Sequence, residues 1–466
     1  MDKTKKIDMT EGPLFSKILL FVLPLMATNL LQVLYNTADM IVVSLSNEPD
    51  AVGAIGVTGS FINLVTNVFF GFATGSNVIV AKYLGACDDD KTSKSVHTSL
   101  VMSLIFGVIG AVAGIAVAKP VLSLMGAQGK LLELATVYTT IYFAGAPFIS
   151  ITNYAISIYR AKGDTKTPLF ILTVSGLSNV ALNLLFVLAF GMSADGVAIA
   201  TLISNVISSF LLVFFLAKDN GPCHFSFSKL QIDKTSFWDI FKIGLPAGIQ
   251  GSLFSISNMI IQSSILQVNN AMCLPDSKFQ PVVKGNSAAA NLEAFVYTAT
   301  NSVYQASITF TSQNVGANKY HRIKNVMKCC YSLTFIIAIF FGGFMILASK
   351  PLLSLYNVKT GAAGSLNQIA FESAMKRIYI LYTTYFLLAF MEVGSGVVRG
   401  LGKSTSSTII SLVGSCIMRI VWIATIFKAY PTLEVIYMSY PISWALTAIV
   451  QFAFAVVYLK KRKISQ

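Results

Sequence analysis

Three acidic side chains lie inside long apolar stretches of this sequence: Asp39, Glu293 and Glu392. A carboxylate in an apolar medium is costly unless a proton, a cation or a basic partner neutralises it. Such a group could therefore take up and release an ion, or hold the positive charge of an organic compound. The residues around each acid indicate which of these roles it could have.

The acid at position 39 has candidate partners in two other apolar runs. Asn179 and Asn183 are four residues apart and share one face of a helix, and Asn153 could join them. Amide and carboxylate oxygens suit a hard cation, and they suit hydrogen bonds to a protonated Asp39 equally well. We therefore predict an ion-coupling site at Asp39, Asn179, Asn183 and Asn153, with Na⁺ at the first three as one option.

Two plainer interpretations of these residues remain open. Asp39 is close to the predicted outer end of its helix, where it could touch headgroups and water. Intramembrane asparagines often serve only to tie helices together.

Pro24 precedes Asp39 by fifteen residues, and Pro246 occupies the corresponding place early in the seventh run. A proline inside a helix removes one backbone hydrogen bond and permits a bend. We predict hinges at both prolines, so that the segment carrying Asp39 can move when the charge on Asp39 changes.

A second candidate site follows one helix face, with Glu293, Tyr297, Thr300 and Tyr304 at spacings of four, three and four. An acid beside aromatic rings suits an organic cation, through charge and through attraction to the ring faces. The alternative is that Glu293 is a structural acid with a satisfied partner near the outer end of its helix.

Tyr385 and Glu392 form a similar face in the tenth run, together with Tyr382 and Ala389. We predict that Tyr385 and Glu392 contribute to substrate binding. An ordinary ion pair between Glu392 and Arg399 is the rival interpretation. Arg419, inside the eleventh run, is expected to extend its guanidinium towards the membrane surface and to have a structural role.

The elements that carry these residues are apolar runs of 20 residues or more. Hydrophobic residues make up 55% of the 466 positions and charged residues only 12%, whereas soluble domains carry about 25% charged residues. Runs of this length cross a bilayer as helices. We count twelve, which predicts an all-α membrane protein: 15–45, 52–84, 96–118, 131–159, 167–190, 194–217, 237–268, 286–315, 327–349, 370–398, 405–427 and 433–459.

Basic residues orient these helices. With the N-terminus in the cytoplasm, most of the 34 Lys and Arg residues fall in predicted cytoplasmic segments, as the positive-inside rule requires. Both termini are then cytoplasmic. The net charge of +14 reflects this topology and contacts with anionic lipids, and it does not indicate nucleic-acid binding.

Several markers recur at the same helix of each half, which indicates a duplicated six-helix unit. Leu23-Pro24 matches Leu245-Pro246, Leu84-Gly85-Ala86 matches Val315-Gly316-Ala317, and Arg160 to Gly163 matches Arg399 to Gly402. The predicted architecture is two pseudo-symmetric six-helix bundles: an N-terminal lobe over 1–217, a cytoplasmic linker over 218–236 and a C-terminal lobe over 237–466.

Cofactor signals are weak. The six cysteines, Cys273 among them, show no CxxC spacing, there are three histidines, and no GxxxxGK[ST] phosphate-binding sequence is present. We expect unpaired thiols, no catalytic residues, no cofactor and no resident metal beyond the coupling ion. Export would then draw its energy from an ion gradient.

These markers resemble, in order from about residue 10 to 460, the multidrug and toxic compound extrusion (MATE) family, and its bacterial DNA-damage-inducible and multidrug branch in particular. The resemblance rests on Thr10-Glu-Gly-Pro13, Leu34-Tyr-Asn-Thr-Ala-Asp39, Asp164-Thr-Lys-Thr-Pro168, Gln313-Asn-Val-Gly-Ala317 and Arg399-Gly-Leu-Gly-Lys403. It implies proton- or sodium-coupled export of amphiphilic, often cationic compounds by alternating access, and a functional acid at Asp39. The family often has Asp where this chain has Asn183, which leaves Asp39 as the one candidate acid of the first lobe.

Other function classes remain as alternatives. A flippase for lipid-linked oligosaccharides or lipids, from the same superfamily, would need a large basic groove. An integral membrane enzyme would need a clustered catalytic set, and a channel is not excluded by composition. We expect a monomer in the plasma or inner membrane. The substrate, the choice of proton or sodium, the stoichiometry and the role of the two acids of the second lobe stay open.

Overall fold

The computed structural model describes residues 7–46, 48, 50–272 and 280–464. Over these residues the chain is helical and contains no β-strand. The predicted Cys273 thiol and part of the loop around it lie outside the described residues. The other five cysteines are free thiols.

The described residues of the first half contain seven α-helices. They are α1 (Leu14–Val43), α2 (Ala51–Gly85), α3 (Asp89–Leu124), α4 (Gly129–Ala144), α5 (Ala146–Ala161), α6 (Lys166–Leu184) and α7 (Ala194–Ala217). A π-helical turn over Leu185–Ala189 extends α6. The predicted runs are confirmed here apart from one: 131–159 is two helices, α4 and α5, that meet at 49°.

Within the part of the second half that the structure describes there are nine further α-helices: α8 (Lys234–Ala271), α9 (Pro281–Gly316), α10 (Tyr320–Leu347), α11 (Ser349–Leu355), α12 (Leu366–Thr383), α13 (Tyr385–Gly400), α14 (Ser404–Ser411), α15 (Met418–Trp422) and α16 (Leu433–Ile464). The predicted run 370–398 is the bent pair α12 and α13, which also meet at 49°. The run 405–427 is helical throughout, with π-helical stretches at Leu412–Ile417 and Ile423–Phe427 on either side of α15.

Eight single helices of the described chain are long and apolar enough to cross a membrane, and the two bent pairs raise this to ten. The other two predicted spans lie in α8 and α9, which have 38 and 36 residues. Both are long enough to cross. They fall short in hydropathy because polar side chains such as Gln262, Asn286 and Glu293 replace part of the apolar surface.

The helices form two compact units. Unit 1 contains residues 1–252, 308–319 and 400–405, and unit 2 contains residues 253–307, 320–399 and 406–466. Unit 1 therefore includes short segments from the second half of the sequence. The core of unit 2 is rich in aromatic rings, with Tyr385, Tyr437 and Trp444 all buried.

Glycines allow close helix packing inside unit 1. A Cβ atom at Gly71 would overlap the backbone of Gly248, and one at Gly316 would overlap the carbonyl oxygen of Lys82. Only residues without a side chain permit backbones to approach so closely. Gly71 and Gly316 therefore serve close helix packing, whereas Gly56 and Gly59 have open space beside them.

Candidate functional site

Asp39 meets the two asparagines of α6 inside unit 1. The Asn183 amide donates to Asp39 Oδ1 at 2.5 Å and to Asn179 Oδ1 at 3.2 Å. Asn179 in turn donates to the Thr201 hydroxyl at 3.4 Å. Asn183 is fully buried and Asp39 is half-buried. The structure thus brings together three of the four residues proposed for ion coupling.

One oxygen of this cluster has no protein partner. Asn183 Oδ1 is buried and accepts no hydrogen bond. A buried unpaired carbonyl oxygen is unfavourable, but a proton on Asp39 or a bound cation would satisfy it. The donor set of one carboxylate and amide oxygens suits either.

The sequence places Asp39 here through a close contact between α1 and α6. The ring of Tyr35, one helical turn before Asp39, packs directly on Gly176, where a Cβ atom would overlap the ring. The Tyr35 hydroxyl also donates to the carbonyl oxygen of Thr173 at 3.4 Å. Residues four apart share a helix face, so this packing sets Asp39 against α6.

Asn153 does not join the cluster. Its amide donates to the carbonyl oxygen of Ile149, one turn back in its own helix, at 2.9 Å. The fourth residue proposed for ion coupling therefore has a local role in this structure.

The predicted hinge prolines lie inside unbroken helices. Pro24 is within α1, where its carbonyl oxygen accepts a hydrogen bond from the Thr28 hydroxyl at 2.8 Å, and Pro246 is within α8. The sharp bends of the described chain are instead at Gly145 and Thr384. The bend at Gly145 could be predicted from Pro147, which occupies the first turn of α5. No comparable residue predicts the bend at Thr384.

In unit 2, Glu293 is the partner of an arginine rather than a free acid. Its Oε2 accepts from Arg377 Nη2 at 2.6 Å, and Arg377 Nη1 donates to Asn286 Oδ1 at 2.8 Å. The Tyr437 hydroxyl also donates to Asn286 Oδ1, at 3.2 Å. This network supports the structural interpretation of Glu293. Arg377 was missed by the sequence analysis, although an arginine inside an apolar run is itself a signal.

The aromatic face predicted on α9 is divided. Tyr297 is 41% exposed, whereas Thr300 is buried and donates to backbone carbonyls of its own helix. Tyr304 is buried and accepts a hydrogen bond from Arg399 Nη1 at 2.5 Å. Of the proposed α9 face, Tyr297 alone has the exposure that substrate contact requires in this structure.

The face predicted on α13 also differs from expectation. Tyr385 is fully buried and packs its ring against Trp444 at 5.8 Å. Glu392 is half-buried. Arg399, the ion-pair partner proposed for Glu392, donates to the Tyr304 hydroxyl. Substrate binding and an ion pair with Arg399 both stay predictions for Glu392.

Arg419 is not directed to the membrane surface. It is 3% exposed, its Nε donates to the Ser443 hydroxyl at 2.9 Å, and its guanidinium lies over the Tyr440 ring at 4.3 Å. The expected extension to the headgroups is wrong because α15 and α16 enclose the side chain.

No group of three or more His, Cys, Asp or Glu side chains that could hold a metal ion occurs among the residues the structure describes. The Asp39 cluster is not a group of this kind, because it has one carboxylate and its other possible ligand oxygens belong to amides.

Comparison with known proteins gives a consistent result. The family model described as MatE matches residues 24–185 and 255–425. A probable multidrug resistance protein of Bacillus subtilis, YoeA, is 25% identical over 96% of this chain and 94% of its own length. A multidrug resistance MATE family transporter of the MOP superfamily, solved in an outward-facing conformation, superposes with a TM-score of 0.87 at 22% identity, over 99% of this chain and 100% of its own. A MOP superfamily transporter from Pyrococcus furiosus superposes with a TM-score of 0.89 at 22% identity, with the same coverage.

Proposed function

Because this chain belongs to the MatE family of multidrug efflux transporters, we propose that it exports amphiphilic organic compounds in exchange for protons or sodium ions. The family is one of membrane transporters with a twelve-helix fold, and its members are not enzymes. The coupling ion, the substrate class and the transport cycle are the proposed part.

The Asp39 cluster carries this proposal. It combines one half-buried carboxylate with two buried amides, and one amide oxygen lacks a partner. An uncompensated carboxylate charge is unfavourable in such surroundings. The group therefore favours a bound proton or cation, which it can exchange for another. One charge that crosses 100 mV is worth about 2.3 kcal/mol, which supports a concentration ratio of about fifty.

The transport cycle proposed is alternating access between an N-terminal lobe (1–217) and a C-terminal lobe (237–466), joined by the linker 218–236. Asp39, open to the outside, takes up the ion. The neutral carboxyl relaxes its contact with Asn183, α1 repacks near Pro24, and the compound leaves. The empty protein then turns inward and releases the ion.

The proposed setting is the cell membrane, with both termini in the cytoplasm and one chain as the working unit. Membrane lipids and small organic compounds are the proposed partners, without nucleic acid. The distribution of Lys and Arg over the loops supports this orientation.

The deciding experiment is dye efflux from proteoliposomes that contain the purified protein, with a pH gradient and a sodium gradient imposed separately. We expect one gradient to drive export and the other to have no effect. Asp39→Asn should abolish gradient-driven export, because an amide cannot exchange a proton or hold a cation as a carboxylate does.

Asp50→Asn is the matched control, since Asp50 is exposed just before α2 and its replacement should leave export unchanged. Normal gradient-driven export by Asp39→Asn would refute the coupling assignment. Export that neither gradient drives in the native protein would refute ion coupling itself.

A further inference from the structure

The segment 7–13 precedes α1 and joins the first half of the sequence to the end of α9 inside unit 1. We propose that this segment, the N-terminal strap, is a releasable contact that must leave α9 before the protein can turn inward. The inference rests on the proposed function, since a strap that releases has a purpose only in an alternating-access cycle.

The strap is held in place although it forms neither helix nor strand. Segments of this kind near a chain end are usually poorly ordered unless something ties them down. Here Met9 is fully buried. The strap also lies directly on Gly163, in the turn between α5 and α6, where a Cβ atom would come within 2.8 Å of the Ile7 carbonyl oxygen. One side of the strap is therefore packed on the first half of the sequence.

The other side of the strap is held by two residues that come much later in the sequence. Asn314, fully buried near the end of α9, donates to the Met9 carbonyl oxygen at 3.1 Å. Lys319, in the turn after α9, donates to the Thr10 carbonyl oxygen at 3.2 Å and pairs with Glu11 at 3.1 Å. Two of these three contacts use backbone carbonyls, so they depend on where the strap lies. The strap thus connects the first half to α9.

The strap is at the same end of α9 that packs backbone to backbone on α2. A Cβ atom at Gly85 would come within 2.0 Å of the Gln313 carbonyl oxygen. Such close packing relies on van der Waals fit, whereas the strap adds polar contacts across the same junction. This end of α9 can therefore leave the first half only if the strap contacts break as well.

Internal contacts keep the strap in one piece with α1. Lys17, early in α1, donates to the carbonyl oxygens of Asp8 and Glu11 at 2.6 and 2.9 Å. The Thr10 backbone N–H donates to Asp8 Oδ1 at 2.8 Å. None of these contacts involves α9, so they can persist when the strap leaves it. The strap is an extension of the helix that carries Asp39, and a repacking of α1 on ion exchange would move it.

Release is feasible because the two contacts with Lys319 are not deeply buried. The Glu11 contact is exposed and the Thr10 contact is partly buried, so water can replace the lost partners. The contact from Asn314 is buried, but its amide keeps a second acceptor, the Phe310 carbonyl oxygen at 2.8 Å. A strap held in this way can detach without unfolding of α9.

The first test locks the strap to the residue that holds it. Glu11→Cys/Lys319→Cys, in a cysteine-free background, is joined by a bifunctional methanethiosulfonate, and efflux from proteoliposomes is measured before and after reduction of the link. We expect the link to abolish gradient-driven efflux and its reduction to restore it, because the linked strap cannot leave α9.

Glu11→Cys/Lys17→Cys is the matched control, because the same reagent then ties the strap only to its own helix, and efflux should persist. Full efflux with the strap linked to position 319 would overturn the proposal. Equal losses with both links would overturn it too, since the loss would then not depend on release from α9.

The second test loosens the strap and needs no transport. Lys319→Met removes both Lys319 contacts, and opening of the junction is followed by maleimide labelling of Thr309→Cys, a fully buried position on α9, in nanodiscs. We expect labelling to become about fivefold faster, the effect of about one net hydrogen bond on an equilibrium. Lys324→Met is the matched control, since Lys324 is exposed on α10, and it should leave the rate unchanged.

An unchanged labelling rate in Lys319→Met would overturn the proposal, and the locking test decides if that variant does not fold. Labelling requires neither an ion gradient nor a substrate. If the coupling assignment fails, the labelling difference should therefore remain. If the strap proposal fails instead, Asp39→Asn should still abolish export, so the two failures can be told apart.

Discussion

At the scale of single residues, the buried charges of unit 2 are organised in pairs and networks. Glu293 and Arg377 are both largely enclosed, and their side chains meet at 2.6 Å. Breaking a buried pair from one side leaves an unpaired charge, which typically costs about 3–5 kcal/mol. Removal of both partners is much less harmful.

We therefore expect Glu293→Gln to lower the thermal unfolding temperature of the detergent-purified protein strongly. The double variant Glu293→Gln/Arg377→Gln should recover a large part of that loss. A double variant that is less stable than either single one would contradict the interpretation of Glu293 as a structural acid.

The Asp39 cluster gives a second prediction at this scale. Asn183→Ala removes the amide that contacts Asp39, and hydrogen bonds to charged groups are worth about 1.5–3 kcal/mol. The lost hydrogen bond stabilises the ionised form of Asp39, so its removal favours the protonated form. If the coupling ion is a proton, the proton concentration needed for half-maximal efflux should therefore fall roughly tenfold or more. Asn153→Ala is the control, because that amide bonds only within its own helix, and its efflux curve should not shift.

Residue-level prediction from the sequence was only partly successful, for a physical reason. The spacing of Asn179 and Asn183 determined their shared face, and the cost of a bare carboxylate pointed to Asp39. Whether an acid is free or paired depends on residues far away in the chain. Glu293 meets Arg377 across 84 positions, and no periodicity reveals such a meeting.

At the scale of elements, the two bent helix pairs are the feature that the sequence concealed. Gly145 is followed fifteen residues later by Arg160, and Thr384 fifteen residues later by Arg399. The two bends therefore occupy equivalent places in the duplicated unit, and both are 49°. An apolar run continues through each break, so its length predicts one continuous span where the structure has two helices.

The contact between α1 and α6 permits a test at this scale. A methyl group at Gly176 would overlap the Tyr35 ring, so Gly176→Ala should push α1 away from α6 and separate Asp39 from Asn183. We expect a clear loss of gradient-driven efflux, measured in proteoliposomes at equal protein content.

Two further variants check that reason. Gly176→Ala/Tyr35→Ala should recover part of the efflux, because the second change removes the obstructing ring. Gly56→Ala should be harmless, since nothing lies within 4 Å of the added methyl group. Equal losses in Gly56→Ala and Gly176→Ala would indicate a general intolerance of side chains instead.

At the scale of the whole molecule, composition and duplication predicted the fold, because hydrocarbon leaves a chain of this length few options besides spanning helices. The predicted division into lobes is harder to compare. Residues 308–319, from the end of α9 onward, belong to unit 1 although they follow the predicted linker by many residues. Their polar side chains explain this: Gln313 donates to the carbonyl oxygen of Ala161 at 2.7 Å, and Asn314 donates to that of Met9 at 3.1 Å.

The same packing leads to a test of alternating access. Asn77 on α2 accepts a hydrogen bond from the Thr309 hydroxyl on α9 at 3.1 Å, and both side chains are buried. This contact joins the two halves of the sequence inside unit 1. If transport requires the two halves to separate here, a covalent link between these positions should stop it.

We expect the double variant Asn77→Cys/Thr309→Cys, made in a cysteine-free background and cross-linked, to lose efflux and to regain it when the link is reduced. Ser76→Cys/Ser99→Cys is the matched control, because Ser76 and Ser99 are in hydrogen-bond contact at 2.7 Å within the first half, and its cross-link should leave efflux intact. Full efflux with the first link in place would mean that the halves never part at α2 and α9. The transport cycle would then need to proceed by motion elsewhere, with the bends at Gly145 and Thr384 as the next elements to test.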